Sequence, residues 1–139
     1  MAHPVDRALA LWAEPLPEGD AALELFRGVY ADPLPVNGVP TEVAALVARA
    51  RMMQGALADV RFEILERTDT GDRSAFAFRI VGHHVGPLAT PAGDIPATGQ
   101  VLTIAAMDIM VVADDRVQAV WAISDMFTPL VQAGAIGAR

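Results

Sequence analysis

The chain has 139 residues, 53% of them hydrophobic, and a net charge of −7, which suits one domain over 1–139 built on one substantial core. It holds no cysteine, which excludes disulfides, thiolate metal sites and cysteine nucleophiles, and all ten basic residues are arginine, which removes Schiff-base lysines and the lysine of a phosphate-binding loop. The negative field, with no basic block, argues against nucleic acid and anionic membranes. No apolar stretch is long enough to span a bilayer, and no basic-then-apolar leader opens the chain, so a cytoplasmic protein is expected.

The periodicity predicts a helix over Val5–Ala13, with Leu9 and Trp12 on one face, ended by Pro15 and Pro17. Asp20 is the expected N-cap of a second helix, on which Leu23, Phe26 and Tyr30 recur at helical spacing. Ala31–Pro40, with three prolines and Asn37-Gly38, reads as loop or a short edge strand. Thr41 should cap the longest helix, Glu42–Ala58. Its apolar stripe includes Val43, Leu46, Val47, Ala50 and Met53, with Arg49, Arg51 and Gln54 mostly off it.

The period then changes to two. Val60, Phe62 and Ile64 alternate with Arg61 and Glu63, the mark of a strand with one wet face. Thr68–Asp72 has hairpin chemistry and leads into a strand over Ser74–Val85. There Phe76, Phe78 and Ile80 share one face and Ala75, Ala77, Arg79 and Val81 the other, so the strand should lie central in a sheet. Gly86–Gly99 is a long loop of the kind that serves as a lid or binding loop. A final hairpin, Gln100–Ser124, turns at Asp114-Asp115 and runs into a short helix. Helices followed by an antiparallel meander make an α+β domain, with a pocket where a curved sheet folds over the helices.

Asp108 stands out. It interrupts an apolar strand, sharing a face with Ile104, Ala106 and Met110. A carboxylate there is costly unless paired, hydrated or neutralised, and an apolar surround raises its pKa toward a value suited to proton abstraction beside a carbonyl. The alternative is a salt bridge to Arg79. Of the adjacent His83 and His84, only one can point inward; a histidine ending a strand is often structural, yet its pKa makes it a natural partner to an acid. Asp125 reads either as a helix N-cap or as a second carboxylate at the cavity rim. Trp121 is suited to packing or to stacking on a flat substrate, and Arg79 to an anionic oxygen. Phe76, Phe78, Met110, Met53 and Tyr30 are further candidate walls, the methionines suiting a broad pocket. No two-His-plus-carboxylate spacing, Gly-rich phosphate loop or Gly-x-Ser-x-Gly appears, so no metal, nucleotide or serine triad is expected.

An ordered set of motifs adds to this. Gly82-His83-His84-Val85-Gly86, Pro96-Ala97-Thr98-Gly99, the Asp108 strand, Asp115-Arg116-Val117, Trp121, Asp125 and Gln132-Ala133-Gly134 together resemble the SnoaL-like polyketide cyclases (ester cyclases) of the nuclear transport factor 2-like superfamily. The resemblance implies a cone-shaped α+β barrel, with N-terminal helices packed on a curved antiparallel sheet, and a homodimer formed through sheet faces. It also implies ring closure of a polyketide-like substrate by intramolecular aldol condensation without metal or cofactor. In those cyclases one acid/base group lies mid-strand, at the position of Asp108, and His84 falls on the family's Gly-x-His-x-Gly histidine. The cyclases' other carboxylate would fall at Ala122, so it is missing here. Related limonene-epoxide hydrolases carry Arg two residues before the strand Asp, where this chain has Ala106. The expected activity is a cofactor-independent cyclase or isomerase acting on a small hydrophobic molecule, with Asp108 as base and His84 or Asp125 as its partner. The alternatives are a non-catalytic ligand-binding or dimerisation module of the same fold, and an epoxide-opening enzyme.

Overall fold

The computed structural model describes residues 2–135. Helix α1 covers Pro4–Ala13 and α2 Asp20–Arg27; the hairpin β1 (Leu34–Val36) and β2 (Val39–Thr41) precedes α3, Val43–Ala56. Four strands then meander: β3 (Leu57–Thr70), β4 (Arg73–His84), β7 (Val101–Ala113) and β8 (Arg116–Ser124). Between β4 and β7 comes the small hairpin β5 (Leu88–Thr90) and β6 (Gly93–Ile95), and α4 spans Phe127–Gln132. Among the described residues no helix is long and apolar enough to cross a membrane.

The main sheet has the order β2-β1-β8-β7-β4-β3, antiparallel except where β1 meets β8 through Val36 and Val120. Strand β4 is interior, as its two apolar faces require. Irregularities between Ala58 and Arg61, between Ile64 and Glu66, and between Val111 and Val112 bend the long strands. The concave face carries Phe76, Phe78, Ala106, Met110 and Val120, which pack against Val5, Ala8, Phe26, Leu46 and Ala50 of the helices. A second, smaller core of Ala56, Leu57, Leu88, Leu102 and Ile104 lies toward the opposite end of β4.

Several predicted boundaries shift for local reasons. Asp20 opens α2 from inside, and the N-cap is Gly19, whose φ of 66° suits a residue without a Cβ. Thr41 ends β2 instead of capping α3. The N-cap is Glu42, without a side-chain cap bond of its own, and Asp32 Oδ1 accepts from Val43 N–H at 3.1 Å. A side chain from the preceding loop therefore satisfies an orphan helix donor, which no scan of α3 alone reveals. Asn37 and Gly38 form a hairpin turn, both with positive φ.

The Gly86–Gly99 segment is not an open lid. Its β5–β6 hairpin buries Leu88 and Ile95. Gly86 crosses the end of α3 so closely that a Cβ there would lie 2.2 Å from the Gly55 carbonyl oxygen. His84 and Thr98, drawn from two motifs far apart in sequence, meet as the clasp of this loop: Thr98 N–H donates to His84 Nδ1 at 3.3 Å.

Candidate active site

The concave sheet face and the helices do not close completely. A cavity of about 350 Å³ remains between α1, α3 and strands β4, β7 and β8, near the lower end of small-molecule sites. Its walls are mostly apolar, formed by Leu9, Leu46, Met53, Phe62, Phe78 and Met110. Asp108 enters this wall from the middle of β7, directly between Phe76 on β4 and Ala122 on β8.

Among the described residues Asp108 has no ion-pair or side-chain hydrogen-bond partner. Burial therefore acts on it unopposed and raises its pKa from 3.8 to about 6. The carboxylate is still reachable, because Ala122 across from it is exposed. Here β1 has already turned away, and Asn37 stands in for a neighbouring strand. Its Nδ2 donates to the Ala122 carbonyl at 3.1 Å, and its Oδ1 accepts from Ala122 N–H at 2.8 Å.

Tyr30 lines the same cavity as Asp108. It is buried on the cavity wall, held by a short parallel bridge to Val117 of β8. Its hydroxyl accepts from Trp12 Nε1 at 2.9 Å, which leaves the phenolic hydrogen free to donate. Burial is the main cause that holds the phenol pKa well above its ordinary value; the Trp12 hydrogen bond opposes this, and the negative charge of Asp108 adds a smaller upward push. A phenol that resists ionisation beside a carboxylate is a hydrogen-bond donor to a developing oxyanion, not a base.

The structure brings together Asp108, Tyr30, Phe78, Met110 and Met53 on one cavity. Phe76 sits beside Asp108 but faces the core, its ring centroid 5.3 Å from that of Phe78. Four other expected residues lie elsewhere. His84 points to the concave side, fully buried, but eight residues along β4 from the Asp108 rung, or roughly 26 Å at the rise of an extended strand. It fastens the β5–β6 loop through Thr98, with Nε2 lacking any partner among the described residues. Asp125 is on the surface one residue before the N-cap Met126. It accepts from the N–H groups of Phe127 and Thr128 at 3.0 and 3.2 Å and from Thr128 Oγ1 at 2.5 Å, and these bonds lower its pKa. It holds the start of α4 and does not line the cavity.

Trp121 and Arg79 are on the convex face. Trp121, 54% exposed, stands over Gly38, while Arg79 is exposed between Glu63 and Ala105 of the neighbouring strands. Arg79 therefore cannot neutralise Asp108 from across the sheet. Among the lining residues not selected as candidates from the sequence are Trp12, whose placement on the apolar face of α1 was a signal, and Arg49, which lay off the stripe of α3. Among the described residues no cluster of three His, Asp or Glu side chains could hold a metal ion.

A bent antiparallel sheet closing over N-terminal helices, with a cavity between the layers, defines a nuclear transport factor 2-like α+β protein. The chain belongs to the SnoaL-like polyketide cyclase family, whose model matches residues 7–133. Similar solved structures include TsrD from Streptomyces laurentii, with a TM-score of 0.76, 18% identity and coverage of 96% of this chain and 93% of that one. Wild-type IdmH from Streptomyces antibioticus, a candidate polyketide cyclase, has a TM-score of 0.71 and 21% identity over 96% of this chain and 99% of its own. A SnoaL-like polyketide cyclase from Agrobacterium tumefaciens has a TM-score of 0.69 and 17% identity over 95% and 98%. At these identities the likeness is one of fold. No curated protein matches the sequence closely enough to lend it a reaction.

Proposed function

We propose that this protein is a cofactor-independent cyclase or isomerase that abstracts a proton beside a carbonyl of a small hydrophobic, polyketide-like substrate. The observation that carries the reading is Asp108: a reachable carboxylate on an apolar cavity wall, without a counter-ion among the described residues and with a pKa of about 6. Its carboxylate takes the proton from an acidic C–H, and the electron pair moves onto the carbonyl oxygen. Tyr30 donates a hydrogen bond to that enolate oxygen, its phenol positioned by Trp12. The enolate carbon then attacks a second carbonyl of the same folded chain. One carbon–carbon bond forms, and the proton held by Asp108 returns to the new alkoxide or, in an isomerisation, to a different carbon. The apolar walls hold the chain folded, a contribution on the order of 7 kcal/mol or more for well-oriented groups.

Deuterium uptake from solvent beside the carbonyl of a simple cyclic ketone such as 2-tetralone, followed by NMR, tests this without knowledge of the natural substrate. The protein-dependent rate, after subtraction of the buffer rate, is expected to rise with pH through about 6 and level off as Asp108 ionises. A protein-dependent rate that is absent or flat over this range contradicts a carboxylate base.

A binding role without turnover has one observation in its favour. Ala122 occupies the rung opposite Asp108, where a second carboxylate would complete a pair. The same exchange measurement separates the two readings.

The reading also includes a homodimer. The convex face of β7 and β8 exposes Met107, Ile109, Trp121 and Ile123, the last at 73%, an apolar patch of the kind that marks an interface. Light scattering at micromolar concentration is expected to give twice the chain mass, and Trp121→Glu to return it to one. A wild-type monomer would remove this part of the proposal.

A further inference from the structure

The cavity has two charged lining residues, Asp108 and Arg49. The other described arginines are accounted for. Arg7, Arg27, Arg61, Arg67 and Arg73 form ion pairs, and Arg51 donates to the carbonyls of Pro17 and Gly19. Arg79 and Arg116 stand on the convex face and in the last turn of the meander, away from the cavity. Arg49 projects from α3 with neither an ion pair nor a side-chain hydrogen bond among the described residues, and Val43–Ala56 contains no acidic residue to neutralise it.

Its position is at the mouth. Arg49 is exposed, as is Ser124, which also lines the cavity, and Arg49 and Met53 are shared with a smaller cleft that Met52 and Leu88 also line. On a chain of net charge −7, an unpaired guanidinium at the entrance of an apolar cavity is a local attraction within a field that otherwise repels anions. It is not the counter-ion of Asp108, whose environment carries no opposing charge.

We infer that Arg49 is a specificity-determining residue that holds a carboxylate at the end of the substrate remote from Asp108, so the preferred ligand is an amphiphilic free acid and not its neutral ester. The inference rests on the proposed use of this cavity and adds an orientation to it. The guanidinium offers two parallel N–H donors to a carboxylate, which pins one end of the molecule while the apolar body lies inward toward Tyr30 and Asp108. The order in which carbons reach Asp108 is then set from the mouth.

The test compares a naphthyl acetic acid with its methyl ester, with binding measured by ligand-observed NMR and by perturbation of labelled Tyr30. Wild-type protein is expected to bind the acid about tenfold more tightly than the ester, the scale of one charge-assisted hydrogen-bonded contact. In Arg49→Gln that preference falls to near unity while ester affinity is unchanged; in Arg49→Lys part of it remains, and it weakens with salt. Equal binding of acid and ester by the wild type, or an undiminished preference in Arg49→Gln with circular dichroism unchanged, overturns the role of Arg49 and leaves the cavity reading intact. Failure of both compounds to perturb Tyr30 overturns the cavity reading, and the inference with it.

Discussion

Asp108→Asn is expected to reduce protein-dependent exchange and any ring-closing turnover by about 10²–10⁴-fold, the range supplied by a positioned general base. Asparagine keeps the shape of the carboxyl but cannot accept the proton, so binding of an apolar ligand should change little. The loss then falls on kcat with KM nearly constant, the pattern of an interaction used in the transition state. The wall around residue 108 is hydrophobic and Ala122 opposite is small, so the substitution makes no clash and leaves no new cavity. An Asp108→Asn protein with unchanged exchange would remove this residue from the chemistry.

The same substitution should stabilise the fold, and more so as pH rises. Well below 3.8 the carboxyl is protonated in both folded and unfolded chains, and the two proteins differ little. Between 3.8 and about 6 the unfolded chain has released the proton that the folded chain retains, so this group's contribution to stability falls with rising pH. Above about 6 the carboxylate is ionised in both states, and the folded one bears the full burial cost. A rise in pKa from 3.8 to about 6 corresponds to about 3 kcal/mol. Asp32, Asp69 and Asp125, whose pKa values are lowered by hydrogen bonds, give stability that is lost as pH falls. They are common to both proteins and cancel in the difference. Urea unfolding across this range is expected to show Asp108→Asn gaining from near zero to about 3 kcal/mol over wild type. A difference that does not grow with pH would mean that the charge is already compensated.

This opposition of activity and stability is what a functional carboxylate in an apolar wall implies, and the sequence made it visible. An acid in phase with Ile104, Ala106 and Met110 was a candidate for the inner face, though one bulge would have inverted it; β7 pairs with β4 without interruption, and Asp108 lines the cavity. The helices, the meander and the turn at Asp114-Asp115 were legible because long periodic segments and turn chemistry are local properties.

The companions of Asp108 were less legible, for reasons of geometry. On β8, counting alternate residues forward from the buried Val117 would turn Trp121 into the cavity. Val112 pairs with Val117 and Val111 with Ala119, so Gln118 is an extra residue; it inverts the alternation, sends Trp121 outward and brings Val120 and Ala122 inward. One bulge of this kind reverses every face assignment beyond it. His84 had the right face but the wrong rung, since parity along a strand fixes side and not distance. Its motif is that of a loop clasp, completed by Thr98 of the other motif. Trp12 and Tyr30, by contrast, come from α1 and from the segment after α2, where Tyr30 lies in a bridge to β8 and not on the helix its spacing suggested; their hydrogen bond is a product of tertiary packing alone.

The most direct test of the central claim is the titration of the Asp108 side-chain carboxyl carbon by NMR in protein labelled with carbon-13 at aspartate, assigned through Asp108→Asn. An unpaired carboxyl held in an apolar cavity predicts an apparent pKa near 6. A midpoint at or below 3.8, the ordinary value for aspartate, would show the group to be solvated or salt-bridged and would contradict the account.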